Sequence, residues 1–234
     1  MRSDDRYRQA LTLAVGFVAA AVIFTLWPGI DITVTSWFHS ETSGFTWARS
    51  TLVNIARDVI KNIMYAMTLL ALAFWVASFT GWKLRSIPGR LWGFIFTLFI
   101  IGPGILVNWV LKEHWGRARP SSTTEFGGTA DFTPALRITD QCATNCSFVS
   151  GEGSGATALA LSFVLLAPYL LPIGSKGSRK RQLAALLIIP AIGLLLRVAM
   201  GRHFLSDTIF AILIVLAVAF LLAPLFFPRR AQEK

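Results

Sequence analysis

RVAMGRHFLSDTIFAILIVLAVAFLLAPLFFPRR, Arg197 to Arg230, places a polar turn, an apolar run and a basic end in one continuous stretch. The run from Leu205 to Pro228 exceeds the ~20 residues that a helix needs to cross the hydrocarbon core of a bilayer. It shows no polar face, which a helix on a soluble core would keep toward water. Five further stretches are of the same kind, at roughly 9–27, 62–81, 91–111, 154–173 and 182–201. The whole chain of 234 residues is 54% hydrophobic and 15% charged, with a mean hydropathy of +0.60, well above ordinary soluble composition. The expectation is an all-α polytopic membrane protein with six transmembrane helices, a single bundle over residues 1–234 with no second domain. The first span is not read as a cleavable signal, because its apolar run is too long and Asp4 and Asp5 precede it.

Lys and Arg set the orientation. With the N-terminus inside, the segments 1–8, 82–90, 174–181 and 229–234 are inner, and they hold thirteen of the 22 basic residues. They are Arg2, Arg6, Arg8, Lys83, Arg85, Arg90, Lys176, Arg179, Lys180, Arg181, Arg229, Arg230 and Lys234. This is the positive-inside pattern, and it puts both termini in the cytoplasm. The net charge of +10 is explained by that topology and by anionic headgroups, so no nucleic-acid partner is expected.

Other ionisable residues fall at membrane depth, where a charge is costly unless it is paired or faces a polar cavity. Lys112 closes the third span in NWVLKEHWGRARP, Arg197 lies inside the fifth, and His203 and Asp207 straddle the turn into the sixth. Under the derived topology these ends share the outer face with the start of the fourth span, so Lys112, Arg117, Arg119, Ser150, Glu152, Arg197, His203 and Asp207 can converge. Arg and Lys suit the oxygens of a phosphoryl group. The backbone N–H groups of Ser150 and Gly151 would add donors at a helix start. His203 with Asp207 four residues on fits a nucleophile and its orienting carboxylate. No His, Cys and Asp cluster has metal-ligand spacing, so no cofactor and metal-free phosphoryl transfer are expected.

The residues now carry a resemblance. KEHWGRARP, Lys112 to Pro120, is similar to the K-x6-RP motif of the type 2 phosphatidic acid phosphatase superfamily, and RVAMGRHFLSD, Arg197 to Asp207, to its R-x5-H-x3-D motif. SFVSGEGS resembles the second motif, PSGH, with Val149 for proline and Glu152 for histidine; Leu196 stands where serine is usual before Arg197. The resemblance implies an acid-phosphatase-like, haloperoxidase-like helical core among the membrane helices. It implies that Lys112, Arg119, Arg197, Ser150 and Gly151 hold the phosphate, that His203 forms a phosphohistidine, and that Asp207 orients His203. Glu152 takes the position of the acid that protonates the leaving group. For that task it must keep its proton near neutral pH, against the ~4.3 of an unperturbed glutamic acid. The alternative is a helix-start carboxylate paired with an arginine.

Smaller features complete the reading. Cys142 and Cys146, four residues apart in the outer loop, are expected to form a disulfide in an oxidising compartment, with two free thiols as the alternative. His114 reads as a boundary residue and Arg117 as an extra headgroup contact. Trp27, Trp47, Trp82, Trp92, Trp109 and Trp115 read as interface anchors. In the segment 28–60, an amphipathic helix is expected on the outer surface from about Thr46.

Two function classes follow. A transporter would need polar residues through to the inner side, and the charges stop on one face. The resemblance implies instead a lipid phosphatase, a phosphoric monoester hydrolase acting on a membrane lipid phosphate at the periplasmic face of a bacterial inner membrane. The loop CATNCSFVSGE resembles the lipid A 4′-phosphatase branch; undecaprenyl pyrophosphate, phosphatidylglycerol phosphate, phosphatidate or transfer to a lipid acceptor are the alternatives. The oligomeric state is left open by the sequence.

Overall fold

The computed structural model describes residues 3–82, 84–171 and 176–228, without the side chains of Ser3 and Lys176. Of the basic residues that set the topology, Arg2, Lys83, Arg229, Arg230, Lys234 and the side chain of Lys176 lie outside the described residues. Every regular element among the described residues is helical: α1 (Ser3–Leu26), α2 (Gly29–Ser36), α3 (Thr46–Arg49), α4 (Thr51–Ser78), α5 (Gly89–Phe99), α6 (Gly151–Leu170), α7 (Lys176–Ala199) and α8 (Leu205–Phe226). The helix of α5 runs on through a π-helical stretch, Ile100–Leu111, and a last α-turn, Lys112–His114. Among the described residues, six helices are long and apolar enough to cross a membrane: Asp4–Leu26, Thr51–Ser78, Gly89–His114, Gly151–Leu170, Gly177–Ala199 and Leu205–Phe226.

The second span differs from expectation. No separate surface helix starts at Thr46; the chain makes one turn, α3, bends at Ser50 and enters a continuous helix of 28 residues. Ser50 caps α4 by accepting from Val53 N–H, and Asn54 Nδ2 fastens the bend on the carbonyls of Ala48 and Ser50, both at 2.9 Å. At 1.5 Å per residue α4 is about 42 Å long, against a hydrocarbon core of ~30 Å. That length leaves about 12 Å to spare, enough for the turns that carry the polar side chains Arg57 and Lys61.

Helix α6 is the centre of the bundle and packs on α4, the α5 helix, α7 and α8. Small residues make this possible, since lipid supplies no hydrophobic drive for helices to associate and close backbone approach must do so. Gly151, Gly153, Ser154, Gly155, Ala156 and Ala158 are all buried. A Cβ on Gly155 would come within 2.8 Å of Met64 Sδ, so α4 and α6 touch at a glycine. The π-helical stretch has an equally local cause. Pro103 lacks the N–H of a regular ladder, and the Asn108 side chain donates to the Pro103 carbonyl at 2.7 Å. Widened turns of this sort often border functional cavities.

Tryptophan placement divides. Trp27, Trp37, Trp47, Trp82 and Trp109 are exposed. Trp92 is a correction: it is buried against Phe74 at 4.8 Å between ring centroids. Trp115 stacks on Phe148 at 4.5 Å and donates Nε1–H to the Ala135 carbonyl, so it braces the outer loop.

Candidate functional site

Residues 145–150 stitch the site together. Cys146 N–H donates to the Lys112 carbonyl at 3.1 Å, Ser147 N–H to the Arg117 carbonyl at 2.8 Å, and Ser150 N–H to the Asp207 carbonyl at 3.2 Å. One short segment thus fixes the end of the third span and the start of the sixth. Cys142 and Cys146 are joined by a disulfide with Cα atoms 5.6 Å apart, closing the loop that carries Asn145. The Asn145 carbonyl accepts from Arg119 Nε at 3.2 Å and Nη2 at 2.7 Å, aiming that guanidinium.

A cavity of about 610 Å³ opens at this end of the bundle. Lys112, Arg119, Gly151, Glu152, Arg197 and His203 line its polar part, with Arg57 and Lys61 from α4. Met64, Tyr65, Phe99, Ile100 and Pro103 line the part that runs between α4 and the α5 helix. Lys112, Arg197 and His203 are buried. The Nε of Arg197 is buried with no hydrogen-bond partner, a donor left unmatched beside the cavity.

His203 is almost fully buried. Its Nδ1 is 2.8 Å from the Ser147 carbonyl, and a carbonyl only accepts, so Nδ1 carries the proton and Nε2 keeps the lone pair. Burial, with the charges of Arg197 and Lys112 nearby, pushes the imidazole pKa down to about 3. The ring is neutral at working pH, the form a nucleophile needs. The expected direct bond to Asp207 is not the one made: its Oδ2 stands 3.8 Å from Nδ1, beyond hydrogen-bond reach. Asp207 reaches the ring through Ser147, accepting from the Ser147 hydroxyl at 2.5 Å and from Phe204 N–H at 2.8 Å.

Two other expectations change. The Ser150 N–H is not a free donor, because the Asp207 carbonyl takes it, and Ser150 Oγ accepts from Gly153 N–H at 3.1 Å as the cap of α6. Gly151 does line the cavity, and as the first helical residue its N–H has no intrahelical acceptor. A side chain there would collide with Asn108. Arg117 is no headgroup contact. It is fully buried, bonding Asp207 at 2.6 Å, Asp31 at 2.9 Å, the Ser206 hydroxyl at 2.8 Å and the Thr133 carbonyl at 2.9 Å. Four of its five N–H donors are engaged in this way, and the guanidinium, buried beneath the site, does not line the cavity. Arg119, half-buried, is the one that faces the cavity; burial lowers its pKa without making it a base.

Glu152, at the start of α6, has the arginine partnership that its second reading called for. Arg57 grips both its oxygens, Nε lying 3.0 Å from Oε1 and 2.9 Å from Oε2 while Nη2 also bonds Oε1. Arg197 Nη1 is 3.2 Å from Oε2. This is the geometry of a carboxylate held between two guanidiniums. The sequence reading misses Arg57 because its segment reads as a surface helix; on the continuous helix α4 it lies about 9 Å from the helix start and lines the cavity. Asp31 was missed because it reads as a loop acid, although GIDITVTS is otherwise short of charge. Among the described residues, no group of three or more His, Cys, Asp and Glu side chains is placed to hold a metal ion.

Comparison with known proteins adds three findings. The family model described as the PAP2 superfamily matches residues 90–231. A lipid A 4′-phosphatase of Francisella tularensis subsp. novicida (strain U112) is 30% identical over 209 residues, covering 88% of this chain and 89% of that protein. Lipid A 4′-phosphatases of Rhizobium leguminosarum and Rhizobium etli (strain ATCC 51251 / DSM 11541 / JCM 21823 / NBRC 15573 / CFN 42) are 31% and 32% identical, over 82% and 81% of this chain and 84% and 76% of those proteins. No solved structure matches.

Proposed function

The chain belongs to the PAP2 superfamily and is a phosphatase, a phosphoric monoester hydrolase of the membrane; on that premise we propose that it removes the phosphate of a lipid A-type glycolipid at the periplasmic face of a bacterial inner membrane. In this reading residues 1–234 form a single integral-membrane lipid phosphatase domain with both termini in the cytoplasm. The names of the three relatives support the headgroup. The basic inner segments support the orientation.

The observation that carries the chemistry is the unmatched buried Nε of Arg197 beside a cavity that also holds Lys112, Arg119 and a neutral His203. A phosphate dianion supplies the acceptors that these donors lack. The Nε2 lone pair of His203 forms the N–P bond as the bridging P–O bond breaks. The electron pair leaves on the sugar oxygen, which takes a proton from solvent in the cavity. Lys112, Arg119, Arg197 and the Gly151 N–H meet the charge on the transferring group. Water then breaks the N–P bond, one of its protons going to solvent, and phosphate departs. Glu152 holds Arg57 and Arg197 in place in this scheme. Phosphate release from a panel of lipid phosphates by purified protein, with His203→Ala as the control, tests the proposal. Release from phosphatidate alone, with lipid A untouched, would move the substrate; equal release by His203→Ala would remove the mechanism.

A further inference from the structure

Asp31 lies on α2, outside all three motif segments and outside the matched family region, yet it is built into the floor of the site. It is 1% exposed. Its Oδ2 accepts from Arg117 Nη2 at 2.9 Å and from the Ser206 hydroxyl, and its Oδ1 accepts from Ser206 N–H at 2.8 Å. The other end of the same guanidinium is bonded to Asp207. Two carboxylates therefore share one buried cation, and the cluster of Asp31, Arg117 and Asp207 carries one net negative charge. Burial of an unpaired charge is costly, so a cluster of this composition calls for a compensating positive charge close by.

Lys112 and Arg119 act on Asp207 from the cavity side at all times, and His203 adds a closer positive charge, but only during turnover. The free ring is neutral. When Nε2 bonds phosphorus while Nδ1 keeps its proton, the imidazole becomes cationic, 3.8 Å from the Asp207 carboxylate. We propose that Asp31 is a positioning residue for phosphoryl transfer: by sharing Arg117 it leaves Asp207 with unspent negative charge for the cationic phosphoimidazole. Without Asp31, Arg117 and Asp207 would neutralise each other and the ring would acquire its charge over a neutral floor. The inference rests on the reading of His203 as nucleophile.

A pH signature follows. The charged groups facing Asp31 are Arg117 and Asp207; burial raises its pKa above the usual carboxylate value, Arg117 lowers it and Asp207 raises it. Above its pKa Asp31 is ionised and the floor is negative; as pH falls through that pKa the charge is lost and kcat falls with it. His203, at about 3, contributes no limb in that window.

The test uses full-length protein in detergent with p-nitrophenyl phosphate and a lipid phosphate, alongside His203→Ala. Asp31→Asn should lower kcat at least tenfold, leave KM within about twofold and flatten the acid limb. Adding Arg117→Met, which returns the net charge to minus one, should recover a substantial part of kcat. An Asp31→Asn variant with unchanged kcat, or a folded double variant as slow as the single one, overturns the inference. If Asp31→Asn does not fold, the double variant decides: a kcat below one-hundredth of wild type overturns it. Activity in His203→Ala would instead bring down the underlying mechanism, whatever Asp31 does.

Discussion

Replacing Glu152 by Gln separates its two chemical roles. The change keeps size and one acceptor oxygen but removes the charge that Arg57 and Arg197 share. If Glu152 holds the two guanidiniums, the loss is that of charge-assisted hydrogen bonds, roughly 1.5–3 kcal/mol before screening. The pair is partly open to solvent, with side chains 22% and 28% exposed, so the lower half of that range applies and kcat/KM should fall roughly 10- to 50-fold. The same factor should appear with a glycolipid phosphate and with p-nitrophenyl phosphate, because binding and alignment of the phosphate suffer alike. Arg57→Ala should cost about as much, and the double variant little more than either single one, since both remove one interaction. An acid catalyst behaves otherwise: kcat falls ~10²–10⁴-fold with the poor sugar leaving group and little with p-nitrophenolate. Steady-state kinetics on both substrates decides. A deficit that disappears with the good leaving group, together with additive Arg57 and Glu152 effects, would refute the holding role.

Activity should survive EDTA and be inhibited by vanadate, as inorganic phosphate release will show; dependence on added Mg²⁺ would contradict a cradle of side-chain cations. Cys142→Ser with Cys146→Ser should raise KM several-fold with a smaller effect on kcat, because the loop that carries the Asn145 carbonyl loses its closure and Arg119 its aim; parallel kinetics under reducing conditions provide the check. A cysteine at exposed Glu125 should react with a membrane-impermeant thiol reagent added from outside, and one at Lys180 should not, in a background lacking the native pair; the opposite result inverts the protein. His203→Ala should lose nearly all turnover, with Asp207→Ala retaining more, measured with either substrate.

Much of this architecture follows from local signals. Six apolar runs long enough to span a bilayer define the helices, and the spacing of Lys112, Arg119, Arg197, His203 and Asp207 brings them to one end of the bundle. Chain segments that depend on partners far away in sequence are another matter. Arg117 and Arg119 are two residues apart in GRARP, and nothing local says that one is buried under the site while the other faces the cavity; Asp31, 86 residues away, decides it. Glu152 reads two ways in the sequence, and nothing local announces its grip by Arg57, 95 residues off. Periodicity gave no warning either that the Ser150 N–H would be taken by the Asp207 carbonyl, or that Trp92 would turn into the core. Such pairings are tertiary choices among several chemically acceptable partners.

Arg117 sits near the midpoint, in sequence, between its two carboxylates, 86 residues after Asp31 and 90 before Asp207. A ribosome delivers them in that order, from the N-terminus onward. When the third span has been made, the guanidinium already has Asp31 to pair with, while His203 does not yet exist. Asp207 joins only when the last span begins to emerge, and in the same step its carbonyl captures the Ser150 N–H and His203 meets Ser147. Lys112 and Arg119 thus wait through two further helices, and Arg197 through none, before the start of the sixth span closes the site.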